Sequence, residues 1–453
     1  MKPWALLIFL LIGFAAIKAQ TASSPIPLLN TPLVPAAIAP GSHSFLLTLN
    51  GNGFTPASIV RWNGSARKTT FVSKTQLTAR ISAAEVAVAS TAVVTVSNPV
   101  HHTSNPVLFQ ITTPERSIKM QVVPTGLSGE AIVADVDADG KPDLIVSYAA
   151  SAFVSTLQIA LGQGDGTFGT PQVISLPSEP LSVISGPFFP LGRTDVALAL
   201  ITGVYILHNQ GGGVFGSLQK VNRLFLSSIA AADLDGDGRL DLVGVEQSAP
   251  GYIFVMLRTA DGHFQAPVKY QTVDAPNEIA IGDFNRDGIA DLAVVSSTQD
   301  NIAILLGNGD GTFQPQTVYS TGSASDGPTA LLVADFNGDG NLDLARAAAN
   351  FNAGTGILLG NGDGTFQAVR NANYSSYGLA AGDFDGDGIL DVTMGVNSVG
   401  TGILLGKGDG TFSTLYNFDY PDFGDGVAVA DFNNNGRLDI AATTDSGIVL
   451  LVQ

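Results

Sequence analysis

From about residue 117 to its end, this 453-residue chain repeats itself with a period near fifty, which limits the fold more than any other feature. One unit reads Ala330-Leu-Leu-Val-Ala-Asp-Phe-Asn-Gly-Asp-Gly340, Asn341-Leu-Asp-Leu-Ala345, then Gly356-Ile-Leu-Leu-Gly-Asn-Gly-Asp-Gly-Thr-Phe366. Marked by one loop position, the units begin at Asp135, Pro187, Asp233, Asp283, Asp335, Asp383 and Asp431, at spacings of 52, 46, 50, 52, 48 and 48. A unit of this length, with apolar runs for about four short strands, is the size of a propeller blade. The expectation is an all-β chain with a seven-bladed β-propeller over residues 117–453.

The two ends of this region support the count. The last unit stops at Ile448-Val-Leu-Leu-Val452, where the others have their third strand. Ahead of the first unit stands Ser117-Ile-Lys-Met-Gln-Val-Val123, a fourth strand with no blade of its own. If 117–123 completes the seventh blade, no open sheet edge remains.

Six units share a nine-residue loop with side-chain oxygens at positions 1, 3, 5 and 9 and glycine at 6. The sets are Asp135, Asp137, Asp139 and Asp143; Asp233, Asp235, Asp237 and Asp241; and Asp283, Asn285, Asp287 and Asp291. They continue with Asp335, Asn337, Asp339 and Asp343; Asp383, Asp385, Asp387 and Asp391; and Asp431, Asn433, Asn435 and Asp439. Calcium takes six to eight oxygens in flexible geometry, and alternate residues of a tight loop supply them. Glycine permits the turn that aims them inward. A backbone carbonyl at position 7 adds a further ligand. Up to six Ca2+ are expected, each held on the order of 0.1–1 mM.

Competing readings fail on spacing. An EF-hand needs glutamate at position 12, which here is Val146, Gly244, Val294, Arg346, Met394 or Ala442. A calcium β-roll repeats every nine residues rather than every fifty. Plain hairpin turns would not place six such loops at one phase of the repeat. In the second unit Pro187, Phe189 and Leu191 replace the ligands and only Gly192 and Asp195 survive. That unit should bind no calcium, its hairpin held by proline and apolar packing.

These loops, with the Leu-Gly-x-Gly-Asp-Gly-Thr-Phe runs at 161–168, 306–313, 359–366 and 405–412, resemble the FG-GAP/VCBS repeats of integrin α-subunits and of many exported bacterial proteins. The resemblance implies the propeller and its calcium loops, and leaves the ligand open, because propellers serve adhesins, lectins and enzymes alike.

Residues 24–115 differ. Alternating runs such as Ser44-Phe-Leu-Leu-Thr-Leu-Asn50 and Thr91-Ala-Val-Val-Thr-Val-Ser97 lie between turn clusters, as in a small β-sandwich. Asn50-Gly-Asn-Gly-Phe54, Val60-Arg-Trp-Asn-Gly64 and Val96-Ser-Asn-Pro99 resemble immunoglobulin-like TIG/IPT domains. Trp62 reads as a packing residue of that sandwich. A polar stretch, Thr112-Thr-Pro-Glu-Arg116, links it to the repeats.

Lys2, the apolar run from Ala5 to Ile17 and the small Ala19 form a cleavable secretory leader, 1–19. No later stretch is apolar enough for a span. The protein is therefore expected outside the cell or at its surface, of bacterial type and monomeric. With 39 acidic against 21 basic residues, the net charge of −18 argues against a nucleic-acid partner. Absence of cysteine excludes disulfides and thiolate chemistry.

No catalytic constellation is recognised. The five histidines lie outside any zincin motif, and Gly164–Gly169 and Gly211–Gly216 match a dinucleotide pattern only as hairpin turns. His208 reads as a surface side chain. The expected role is adhesion to, or binding of, a glycan or protein ligand. The working surface would lie opposite the calcium loops, where Tyr374, Tyr377, Tyr416, Tyr420 and Phe423 cluster in variable loops. The alternative is an extracellular carbohydrate-active enzyme of lyase or hydrolase type, which would need basic residues gathered in a cleft. The 21 basic residues show no such cluster along the chain.

Overall fold

The computed structural model describes residues 24–453 apart from 100–101, 116–117, 126, 128, 152–153, 190–191, 322–327, 349–353, 372–373, 375, 397–399, 419–425 and 445–446. The leader, Leu191, Tyr420 and Phe423 lie outside the described residues.

The chain is all-β. Its first part is a pair of sheets. One orders Leu28–Leu29, Phe45–Asn52, Gln76–Ile81 and Thr69–Ser73. The other runs Ala37–Ile38, Val107–Ile111, Ser90–Asn98, Ile59–Trp62 and Ser65–Ala66, with His102–Thr103 also paired to Ser90–Asn98. Alternate residues face inward, so Leu47 and Leu49 of one sheet share a core with Val94 and Val96 of the other. Trp62 is buried in that core, its ring 5.1 Å from Phe109. Replacing it with alanine should remove about 3–5 kcal/mol from the sandwich. Calorimetry should show that loss as an earlier first transition, and an unmoved transition would put Trp62 outside the core's energetics.

Among the described residues, the repeats form seven separate four-stranded antiparallel sheets. Each first strand ends on a small residue that pairs in register with the aspartate opening the second strand. The pairs are Ala134 with Asp143, Gly186 with Asp195, Ala232 with Asp241, Gly282 with Asp291, Ala334 with Asp343, Gly382 with Asp391 and Ala430 with Asp439. The loop between them is therefore a fixed-length excursion at one end of every sheet. The seventh sheet takes its outer strand from Gln121–Pro124, which runs antiparallel to Gly447–Val452.

Packing between sheets is as regular as pairing within them. Each of seven apolar clusters draws on two neighbouring sheets, and one of them joins Phe432, Ile448 and Leu450 of the seventh to Leu144, Val146 and Ala160 of the first. First strands touch in sequence from Glu130–Ala134 through to Val427–Ala430, which in turn touches Glu130–Ala134. Hairpins bridge sheets in the same sense. Gly311 N donates to Leu234 O (3.0 Å), Gly364 N to Phe284 O (3.0 Å), and Gly166 N of the first sheet to Phe432 O of the seventh (2.9 Å).

The sandwich rests against the loop ends of several sheets. Ile26 N donates to the Asp233 carboxylate (2.9 Å), Asp335 N to Thr31 O (2.9 Å) and Glu115 N to Asp385 O (2.7 Å). Arg437 pairs with Glu115 at 2.8 Å. The polar stretch 112–115 is thus packed on the loops rather than slack. Among the described residues, no helix is long and apolar enough to cross a membrane.

Candidate metal centres

The six loops share one hydrogen-bond plan. The position 1 carboxylate accepts the N–H of positions 5 and 6, as Asp383 does from Asp387 (3.0 Å) and Gly388 (2.8 Å). Position 3 also accepts the N–H of position 5, whether it is Asp385 (3.1 Å), Asn285 (3.0 Å) or Asn433 (3.1 Å). These bonds coil the loop around its own oxygens. The position 6 glycine sits at φ of 82° to 88° in every copy, where a Cβ is strained. Position 4 also has positive φ, including the non-glycine Ala138, Arg286 and Asn434. The sequence signal for that position is Gly236, Gly338, Gly386 and Asn434 in four of the six copies.

In three loops the carboxylates converge most clearly. Asp135, Asp137 and Asp143, then Asp233, Asp235 and Asp241, then Asp383, Asp385 and Asp391 each bring ligand oxygens within 4.8 Å of one another. In the loops of Asp283, Asp335 and Asp431 an asparagine holds position 3, and its Oδ1 takes the same inward bond. An all-oxygen set of this kind suits a hard divalent cation.

Position 9 does more than offer a ligand oxygen. Asp391 is buried and bonds on both sides, accepting Phe384 N at 2.7 Å through Oδ2 and Gly406 N at 2.8 Å through Oδ1. The same pair of bonds recurs at Asp143, Asp241, Asp291, Asp343 and Asp439. This carboxylate therefore clips the loop to the end of the third strand. Burial pushes Asp391 up to about 8, Asp241, Asp291, Asp343 and Asp439 up to about 7, and Asp143 up to about 6, with repulsion from loop neighbours adding and backbone N–H bonds offsetting part. At position 1 burial likewise raises Asp383 to about 7 and Asp233 and Asp283 to about 6. A bound cation would relieve both the repulsion and the lost hydration.

The second sheet keeps the clip without the ligands. Asp195 accepts Phe189 N (2.9 Å), Asn209 N (2.8 Å) and His208 Nδ1 (2.9 Å). This corrects two expectations. His208 is not a free surface side chain but an aspartate partner lying against Phe189, ring centres 4.4 Å apart. Nor is that hairpin held by proline and apolar packing alone, although Phe188 is fully buried there.

Of the aromatic residues expected to mark a ligand surface, Tyr374 and Tyr377 are half-buried and Tyr416 is exposed on its strand. Tyr374 lies beside the connection of strands two and three in the fifth sheet, its carbonyl accepting Thr355 N at 2.8 Å. It lines a groove of about 500 Å3 together with Arg370 and Lys407. The sequence showed no basic cluster, and these two cations line one groove because they belong to neighbouring sheets.

FG-GAP-like repeats match residues 233–294, 283–345 and 383–442, and an IPT/TIG domain matches 31–111. No curated protein matches the chain. Solved structures similar to it include an Agrocybe aegerita lectin specific for non-reducing terminal N-acetylglucosamine, 19% identical, with a TM-score of 0.48 over 79% of this chain and 95% of that one. Others are an auxiliary nutrient binding protein from Bacteroides thetaiotaomicron (11% identical, TM-score 0.42, 94% and 97% covered) and the V. cholerae biofilm matrix protein Bap1 (11%, 0.39, 89% and 88%). The chain thus carries an IPT/TIG domain ahead of FG-GAP-like repeats.

Proposed function

We propose that the seven sheets are the blades of a β-propeller, that six of its loops bind calcium, and that the whole is an exported binding or adhesion module for a glycan or protein. The observation that carries the reading is the loop plan: the same oxygens coiled inward, at the same end of six sheets, in a chain whose second sheet keeps the fold without them. The cycle of contacts between first strands supports the ring, with Gln121–Pro124 as the strand that leaves no seventh-blade edge open.

Calcium in this reading is structural. Carboxylates tied to a cation and to backbone N–H groups are poor proton carriers, and the sandwich already lies against several loops. The end of the propeller away from the loops, with Tyr374 and Tyr377, is then the working surface, whereas Tyr416, expected in a loop, stands within the outer strand Phe412–Phe418. The protein acts outside the cell as a monomer, without nucleic acid.

One observation favours the rival enzyme, a lyase or hydrolase of acidic polysaccharides: Arg370 and Lys407 do share a groove. A glycan array probed with and without EDTA, beside a reducing-end assay on the same glycans, separates the two. Binding without turnover is expected. Turnover would replace the binding-module reading with the enzyme.

A further inference from the structure

In a chain with 39 acidic and 21 basic side chains, an arbitrary surface groove should face carboxylates. The groove between the fifth and sixth sheets is lined by cations instead, and the neighbouring Asp409 carboxylate is taken up by Thr411 N (2.9 Å) and Thr411 Oγ1 (2.6 Å). Its polar lining is Arg370, Asn371, Tyr374, Lys407, Thr411 and Ser413, with no aspartate or glutamate among its described lining residues. At about 500 Å3 it falls within the roughly 300–1,000 Å3 usual for small-molecule sites.

Much of this lining is held in place. Arg370 reaches across to the sixth sheet, Nη1 donating to Asp409 O at 3.0 Å, while Nη2 donates to Gln367 Oε1 at 3.2 Å. Asn371 Oδ1 accepts from Arg346 Nη2 at 3.3 Å. Arg346 is itself buried and anchored to Gly354 O (3.0 Å) and Thr321 O (2.7 Å). The asparagine amide is thus turned with its oxygen inward and its NH2 as the outer donor. Tyr374 packs on the apolar cluster that includes Leu379 and Phe412. Preorganised groups of this kind lose little entropy on binding.

Two cations call for an anion, and a planar guanidinium suits a carboxylate. The amide NH2 of Asn371 suits a ring hydroxyl, Thr411 Oγ1 can accept from one while its own proton goes to Asp409 Oδ1 at 2.6 Å, and the Tyr374 ring offers an apolar face. A peptide is the poorer fit. Adding a strand to a sheet edge needs length, and among the described residues the outer strand here is only Arg370–Asn371.

We propose that this groove binds a carboxylate-bearing sugar unit of a polysaccharide, its acid group between Arg370 and Lys407 and its ring against Tyr374. The inference rests on the binding-module reading and names the ligand class for it, but places the ligand along the side of the fifth and sixth sheets, as far as the hairpin whose Gly406 N bonds Asp391, rather than wholly at the end away from the loops.

The test is isothermal titration of the calcium-loaded full chain with a galacturonate trisaccharide, a neutral galactose trisaccharide and a sulfated one. Uronate binding is expected to weaken about ten- to a hundredfold in Lys407→Gln and in Arg370→Gln. Lys407 is exposed, so its variant should melt as the parent does even if Arg370→Gln disturbs the Asp409 hairpin. Undetectable uronate binding, uronate binding indifferent to both substitutions, or tighter binding of the neutral or sulfated sugar overturns the proposal. If the array finds other ligands while uronates fail, only this inference falls. If it finds none, the binding-module reading falls with it.

Discussion

Chelating calcium should lower the melting temperature of this protein by on the order of 10 °C, and adding calcium back should restore it. Each site, at calcium about tenfold above its dissociation constant, contributes about 1.4 kcal/mol. Six sites give about 8 kcal/mol, and a domain of this size shifts by one to a few degrees per kcal/mol. The metal-free protein should also show a pH dependence of definite sign. Its position 9 aspartates titrate at about 6 to 8 when folded, against an ordinary 3.8. Between about pH 4 and 8 the folded state therefore holds more protons than the unfolded one, and stability falls as pH rises through that window. In EDTA the protein should melt lower at pH 8 than at pH 6. With calcium at about 5 mM that difference should shrink or reverse, because protons then compete with a ligand that favours the folded state. A melting curve unmoved by EDTA would remove calcium from the account.

What could be read from the residues was what local chemistry repeats. An alternating aspartate loop with glycine at position 6 recurs at one phase of the repeat, so the place of each loop was legible, while the opening of each second strand on the position 9 aspartate was not. Long-range consequences were not. The clip made by Asp143 and its counterparts is invisible in sequence, because a carboxylate that ties two strands and one that faces a cation are spelled alike. His208 reads as an odd histidine until Asp195 appears beside it. The seating of the sandwich on the loops depends on contacts such as Ile26 with Asp233, separated by 207 residues and marked by no local pattern. Arg370 and Lys407 converge for the same reason, through the packing of one sheet against the next. The outer strand of the seventh sheet was anticipated from where the repeats begin and end. Its extent, Gln121–Pro124, depends on pairing with Gly447–Val452 and starts later than apolar character alone implied.

The clip and the metal can be separated by comparing Asp195→Ala with Asp391→Ala. In the second sheet the carboxylate has no neighbouring loop ligands among its described partners, only Phe189 N, Asn209 N and His208 Nδ1. Removing it strands buried donors at about 1–3 kcal/mol each. The Asp195→Ala protein should lose about 3 kcal/mol or more, by the same amount in calcium and in EDTA. Asp391→Ala loses two clip bonds, to Phe384 and Gly406. In EDTA that loss is partly offset, because Asp391 is a buried carboxylate repelled by Asp385 and Asp383. In calcium the offset disappears and the share of one bound ion, about 1.4 kcal/mol, is lost as well. The Asp391→Ala penalty should therefore be clearly larger with calcium than without. Equal penalties for Asp391→Ala would make position 9 a clip alone. A calcium-dependent penalty for Asp195→Ala would mean that the second sheet holds an ion after all.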